Sequence, residues 1–460
     1  MDLVNLKKVT DEQRVREYMD EVFAMIKQRD PHEQEFLQAV KEIFSSLIPV
    51  FEKHPKYMEN GILERITEPE RIITFQVPWV DDHGKVKVNR GYRVQFNSAI
   101  GPYKGGIRFH PSVNTSIVKF LGLQQIFKNS LSGQPIGGGK GGADFDPKGK
   151  SDGEIRRFCQ SFMTELSQYI GPDLDIPAGD IGVGAKEIGY MFGQYKRMQG
   201  RFEPGVLTGK GLGYGGSLAR KEATGYGTIY FVQEMLNDQD IALEDCTVVV
   251  SGSGNVSIYA MEKAISLGAK VIACSDSNGY IYDKNGIDLE AVKQIKEVDG
   301  DRIHAYLKGR PEAKYFDGCD GIWSIPCDVA LPCATQNEID RNSANQLIEN
   351  GVKAVAEGAN MPSSADAIRV FQSNNLLFGP SKAVNAGGVA VSSLEMAQNS
   401  MRMAWSFEEV DEKLHEIMKN IYKDCITAAE EYGQKGDLIA GANISGFLKV
   451  ADAMIDHGTI

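Results

Sequence analysis

The run TVVVSGSGNVSIYAMEKAISLGAKVIACSDS, residues 247–277, decides the fold. Thr247 to Ser251 is apolar and β-branched and predicts a strand, and Gly252-Ser253-Gly254-Asn255-Val256-Ser257 predicts a tight turn. A helix is predicted from there to Gly268, then a second strand over Ala269 to Cys274. Asp276 follows about 20 residues after the glycines. A lone G-x-G-x-x-G carries little weight, but strand, turn, helix, strand and acid stand here in the order a dinucleotide site requires. The helix N-terminus is where a pyrophosphate would sit. Ser257 takes the place of the third glycine or alanine and is small enough to fit.

Downstream the βα pattern continues. Asp328 to Leu331 runs into PCATQN (332–337), Val352 to Ala356 into EGANMP (357–362), and Leu376 to Phe378 into GPSKAVNAGG (379–388). Ligands of an open parallel sheet lie beyond the carboxyl ends of its strands, which puts Thr335, Asn337, Asn360 and Asn385 in the expected place. Asn and Thr are also ordinary turn residues. Ser406 to Glu409 predicts the cap of a long helix to Tyr432, stopped by Gly433, and the last segment to Ile460 is predicted helical and folded back on the first domain.

Upstream, LTGKGLGYGG (207–216) reads as a hinge or linker. The first 60 residues look helical, with Asp30-Pro31-His32-Glu33 read as a capping box. From Arg71 the period becomes two: Ile73, Phe75 and Val77, a turn at Asp82-His83-Gly84, then Val86, Val88, Tyr92, Val94 and Phe96 predict a hairpin with one buried face. A chain of 460 residues exceeds one core. The expected architecture is α/β: an N-terminal α/β substrate domain (1–216), a Rossmann-type doubly wound dinucleotide-binding domain (217–435), and a C-terminal helix (436–460) returning to the first.

A net charge of -12 disfavours a nucleic-acid surface. Seven cysteines, odd in number and without a C-x-x-C pair, indicate neither a disulfide framework nor a zinc ribbon, and predict a reducing, cytoplasmic compartment. No metal site is expected. The start MDLVNLKKVTDEQRVREYMDEVF lacks the apolar core of a signal peptide. No run reads as long and apolar enough to cross a membrane, so neither membrane nor nucleic acid is an expected partner.

Chemistry concentrates in GPYKGGIRF (101–109), QQIFKNS (124–130), PIGGGKGGADFDP (135–147) and IPAGDIGVG (176–184). Lys104 and Lys140 stand among glycines, which let backbone approach a ligand. Gln125 and Lys128 share one face of a helix predicted from Asn114 to Ser130. Three lysines brought together would depress one another's pKa and suit an anionic substrate, though each taken singly is also compatible with a solvated loop. GGGKGG is not a phosphate loop, because Gln134 stands where a glycine is needed and Gly141 where Ser or Thr is. Ser151 to Glu154 predicts another capping box. Asp180, among small residues, is expected to be desolvated and its pKa raised.

The segments PYKGGIRFHPSV, GGGKGG, PAGDIGVG, EATGYG (222–227), SGSGNV, PCATQN, PSKAVNAGGV and SSLEMAQNS resemble the hexameric glutamate dehydrogenases of the Glu/Leu/Phe/Val dehydrogenase family. The resemblance spans nearly the whole chain. It implies reversible oxidative deamination of L-glutamate to 2-oxoglutarate and ammonium, with NADP, or else NAD, as cofactor and a homohexamer as the assembly. Carried over by position, Lys104 and Ser392 would bind the side-chain carboxylate, Gln125 and Lys128 the α-carboxylate, and Gly179 would offer a backbone contact, with Arg220 also in the substrate site. Lys140 would be the catalytic lysine and Asp180 the proton carrier. Thr224, Gly252, Ser253, Gly254, Asn255, Val256, Asp276, Ser277, Lys296, Thr335, Asn360 and Asn385 would meet the cofactor.

Asp276 alone favours the free ribose hydroxyl of NAD. Ser275-Asp276-Ser277, however, resembles the SDS segment of NADP-linked members, with Lys296 available to a 2'-phosphate, so NADP is the expected preference. The leucine, phenylalanine and valine dehydrogenases resemble GPALGG where this chain has GPYKGG, and Lys104 separates them. A nucleotide sensor that kept the fold without catalysis would have lost Lys140 or Asp180, and both stand.

Overall fold

Two sheets, each covered by its own helices, organise residues 11–459, the part of the chain that the computed structural model describes. The first ten residues of the predicted helical start lie outside the described residues. The first sheet contains β1 (Arg71–Val80), β2 (Val86–Asn97), β3 (Tyr103–Phe109), β4 (Gly137–Ala143) and β5 (Asp175–Gly179) in the order β1-β2-β4-β3-β5. β1 and β2 form the predicted antiparallel hairpin, and β3 runs parallel to β4 and β5. Tyr92, Val94 and Phe96 pack against the helices Gln34–Lys53, Thr115–Leu131 and Leu438–Asp456, while Ile107, Phe109 and Ala143 pack against Asp152–Leu166 and Ala185–Gln199. Asn114 caps Thr115–Leu131 by accepting from the Ile117 N–H, and Ser151 and Glu154 close the predicted capping box of Asp152–Leu166.

GGGKGG is no loop: it lies within β4, a buried central strand. Glycines are poor strand formers; Gly138 and Gly142 stand here against Ile126 and the Arg108 carbonyl, and Gly139 and Gly141 against an arginine from elsewhere in the sheet. Arg93 of β2 reaches beneath β4 and β3 to Asp175 of β5, with Nε donating to Oδ2 at 2.9 Å and Nη1 to the Gly105 carbonyl at 3.1 Å. A Cβ on Gly139 or Gly141 would come within 3.4 or 3.2 Å of that side chain.

The second sheet contains β6 (Thr247–Val250), β7 (Lys270–Ser275), β8 (Gly279–Tyr282), β9 (Lys314–Asp317), β10 (Val329–Leu331), β11 (Ala354–Ala356) and β12 (Leu377–Gly379), ordered β12-β11-β10-β6-β7-β8-β9. β12 through β7 are parallel, as a doubly wound fold requires, and β8 and β9 add an antiparallel edge. Phe407–Glu431 carries the predicted capping box at Ser406 and Glu409, and Leu438–Asp456 returns to the first sheet's helices.

Three expectations need correction. Asp30 and Glu33 do not form a capping box; the helix starts at Gln34 without a side-chain cap, because Lys119 takes both carboxylates at 2.7 and 2.6 Å. Val86 and Val88 are 65% and 56% exposed, because the hairpin tip extends past the helices that cover Tyr92, Val94 and Phe96. The helix Leu438–Asp456 does meet the length and composition of a membrane span, but 61% of its most apolar window is buried against the protein's own helices.

The crowding predicts opposite outcomes for two glycines. A Cβ on Gly105 would lie 1.7 Å from the Gly139 carbonyl oxygen, so Gly105→Ala forces backbone apart and costs about 3 kcal/mol or more. Gly193, exposed inside the helix Ala185–Gln199 with nothing within 4 Å, gains about 0.5–1 kcal/mol as alanine. Thermal melts of both variants check this; a Gly105→Ala protein melting with wild type contradicts it.

Candidate active site

A cavity of about 600 Å³ opens between the two sheets. Strand alternation determines what the first sheet contributes. Lys104, Gly106 and Arg108 of β3 share the face of β4 that carries Lys140, and Asp180 follows β5 on that side. Gly106 makes room: a Cβ there would stand 2.8 Å from Asp180 Cβ and 3.3 Å from Lys140 Nζ. The helix Thr115–Leu131 adds Gln125 and Lys128 from above.

Lys140 Nζ meets Asp180 Oδ2 at 2.9 Å, and Arg108 Nε donates to the same oxygen at 3.1 Å. The expectation of a raised Asp180 pKa is therefore overturned. Burial does push that carboxyl up, but Lys140 and Arg108 outweigh it and hold it well below the usual carboxylate range. Burial pushes Lys140 down, with Asp180 opposing and Arg108 assisting. Lys128 is pushed down to about 8, first by burial and then by Lys140, and its Nζ donates to Asn385 Oδ1 at 2.5 Å across the cleft.

Lys104 stands in a separate niche. Its Nζ donates to the buried Thr208 hydroxyl at 2.8 Å, and burial, then Arg220, carries it well below the ordinary lysine value. Thr208 is anchored by its N–H on the Pro177 carbonyl. Next to it, Lys210 and Glu395 form a fully buried ion pair at 2.6 Å, and the Glu395 carboxylate also accepts from the Gly209 N–H. That pair ties the segment 207–216 to the helix Gly387–Met401, one turn from Ser392. The buried Nε of Arg220 has no hydrogen-bond partner. An unpaired buried guanidinium N–H beside Lys104 suits an incoming anion.

Of the residues singled out from the sequence, Lys104, Gln125, Lys128, Lys140, Gly179, Asp180, Arg220, Ser392, Thr224, Val256, Thr335, Asn360 and Asn385 line this one cavity. Gly252, Ser253, Gly254, Asn255, Asp276, Ser277 and Lys296 do not; they lie at and beyond the ends of β6 and β7. Asn337 is also outside it, with its N–H on the Met361 carbonyl.

The turn after β6 fits a dinucleotide. Gly252 has φ +81°, and a Cβ there would come within 2.6 Å of Ser257 Oγ. Ser257 donates to the Ser251 carbonyl at 2.8 Å, so the hydroxyl standing in the third glycine's place braces the turn. Gly254 starts the helix Asn255–Ser266 without a side-chain cap, leaving N–H groups for a phosphate. Asp276 is largely spent on backbone: its carboxylate accepts from Asn278 N and Ile303 N at 2.9 and 2.8 Å. Arg302 donates to Ser277 Oγ at 2.7 Å, and Lys296 lies 3.6 Å from Asp276.

Sequence reading missed Arg108, Thr208, Lys210, Glu395 and Arg302. Period-two alternation from Lys104 was signal enough for Arg108; the others depend on contacts between distant segments.

Family models describe the chain over most of its length: Glutamate/Leucine/Phenylalanine/Valine dehydrogenase over residues 215–458, and Glu/Leu/Phe/Val dehydrogenase, dimerisation domain, over 69–197. The chain belongs to the Glu/Leu/Phe/Val dehydrogenase family. Within that family it is 55% identical to an NADP-specific glutamate dehydrogenase of Helicobacter pylori, over 96% of this chain and 100% of the relative. It is 53% identical to an NAD-specific glutamate dehydrogenase of Porphyromonas gingivalis, over 95% and 99%. The crystal structure of Plasmodium falciparum glutamate dehydrogenase superposes with a TM-score of 0.95 at 53% identity, covering 100% of this chain and 98% of that one.

Proposed function

We infer that this chain is an NADP-dependent glutamate dehydrogenase, interconverting L-glutamate with 2-oxoglutarate and ammonium. The observation that carries the reading is the cavity itself: two lysines, the buried Lys104 on Thr208 and the half-buried Lys128 on Asn385, stand in separate niches, and Lys140 and Asp180 are paired in the same space. A five-carbon dicarboxylate presents two anions with a reacting carbon next to only one of them.

In this reading Lys104, Arg220 and Ser392 receive the distal carboxylate, and Lys128 with Gln125 the α-carboxylate. Gly179 offers backbone to the substrate. Lys140 donates to the keto oxygen and stabilises the alkoxide that forms when ammonia adds. Asp180, deprotonated at rest, takes a proton from the incoming nitrogen and returns it to the departing water. Nicotinamide supplies or accepts the hydride when bound. Thr224, Val256, Thr335, Asn360 and Asn385 would border its ring and ribose, and the turn Gly252, Ser253, Gly254 and Asn255 its pyrophosphate. Ser277, Arg302 and Lys296 would hold the 2'-phosphate, and Asp276, occupied by two backbone N–H groups, would not exclude it.

The division into 1–216, 217–435 and 436–460 belongs to the same reading, supported by the two separate sheets and by family matches that end at 197 and resume at 215. So do a homohexamer, which rests on the resemblance to hexameric glutamate dehydrogenases, with the dimerisation description of the first domain supporting a pairwise interface, and a cytoplasmic place of action, which rests on the cysteine pattern.

Two measurements test it. With 2-oxoglutarate and ammonium, kcat/KM should be higher with NADPH than with NADH, and Arg302→Ala should lower the NADPH value about tenfold to a hundredfold, the worth of a hydrogen bond to a charged group, while sparing NADH. Equal loss with both cofactors refutes the assignment of Arg302. Lys104→Leu leaves the distal carboxylate unpaired, a cost on the order of 3–5 kcal/mol, so glutamate turnover should fall by roughly two to four decades. Norleucine should gain relative to glutamate. If Lys128→Leu shifts that ratio and Lys104→Leu does not, the two carboxylate niches are exchanged.

A further inference from the structure

The ion pair in the cavity has a third member. Arg108 and Lys140 come from neighbouring strands and meet one atom, Oδ2 of Asp180, at 3.1 and 2.9 Å. Their side chains are 16% and 8% exposed and that of Asp180 is 15%, so water screens the three charges little. We propose that Arg108 is a positioning residue that sets the proton affinity of Lys140 by holding Asp180 through the same carboxylate oxygen. The proposal rests on the reading of Lys140 and Asp180 as the reacting pair.

Lys140 on β4 faces charges from every side: Asp180 after β5, Arg108 from β3, Lys128 from the helix Thr115–Leu131, and Arg93 of β2 from beneath the sheet. Asp180 is the anion among them. A carboxylate shared with a guanidinium gives the lysine only part of its attraction, and the guanidinium's own charge repels the ammonium. Both effects favour the neutral amine. Arginine does not deprotonate in proteins, so the competition persists across the working pH range. Burial is the largest influence holding Lys140 below the ordinary lysine value, and Arg108 works in the same direction while Asp180 opposes both.

Oxidation of glutamate, the reverse of the amination above, needs Lys140 to accept a proton and therefore to be neutral beforehand. The sign follows. Without Arg108 the carboxylate belongs to Lys140 alone, the ammonium is held more tightly, and the acid limb of kcat/KM for glutamate moves to higher pH. A purely structural arginine would lower activity without moving that limb.

The test uses the full-length enzyme with Arg108→Gln, Arg108→Leu and Arg108→Lys. The first two should move the acid limb up by about one pH unit, a tenfold loss at a fixed pH on the limb. Arg108→Lys keeps a cation on Asp180 and should keep the limb near the wild-type position. Competitive acylation of Lys140 by acetic anhydride across the same pH range, read by peptide mass spectrometry, reports the lysine's proton affinity without turnover and should show the same shift. Coincident acylation curves for wild type and Arg108→Gln overturn the proposal. If the wild-type protein does not oxidise glutamate yet the acylation curve of Arg108→Gln shifts, the functional reading falls and the role of Arg108 stands.

Discussion

The buried ion pair between Arg93 and Asp175 is the constraint on which the first sheet depends. Both side chains are fully buried, and Gln95 donates to the same Asp175 carboxylate, so the charges are matched and hydrogen-bonded. To reach from β2 to β5 the arginine must pass under β4 and β3, and only strands without side chains at the crossing admit it. Gly139 and Gly141, where a Cβ would meet the Arg93 side chain, follow from this, and alternation then turns Lys104 and Lys140 to the opposite face. Placement of the reactive lysines is thus a consequence of what lies on the other side of the sheet.

On the cavity side, positive charge exceeds negative. Lys104 senses Arg220 and Lys210 as well as Glu395, and Lys140 and Lys128 share Asp180 with Arg108. Burial makes this surplus costly in the empty protein and valuable to a dianion. Contacts that a ligand would replace already bridge the cleft, as Lys128 does on reaching Asn385. In the proposed reading Arg302, which donates to Ser277 beyond the end of β7, would offer a comparable place for anionic charge.

The βα unit around residues 247–277 was legible because every part of it is local: β-branched strand, glycine turn, amphipathic helix, strand and acid. So were the hairpin, the capping boxes at Ser151 and Ser406, and the returning C-terminal helix. Where a long-range partner decides the outcome, local reading failed. Asp180 sits among small residues that suggest desolvation, but the cations that dominate it arrive from β3 and β4. GGGKGG suggests a loop until Arg93 is seen beneath it. Asp30 and Glu33 have the spacing of a capping box, yet Lys119 outcompetes the helix N-terminus for both. Asp276 suggests NAD by its spacing, whereas its hydrogen bonds to Asn278 and Ile303 give it a structural task. Among the cavity residues, lysines set in glycine were readable, and the partners that tune them were not.

The measurement that bears most directly on this account is the thermal stability and glutamate turnover of Arg93→Met. Removing one member of a buried pair leaves Asp175 as an uncompensated buried charge, at a cost of about 3–5 kcal/mol. The account predicts a protein that melts well below wild type and has lost most of its turnover, because the strand carrying Lys140 loses its support. An Arg93→Met protein that melts with wild type and turns over glutamate at the wild-type rate would contradict it.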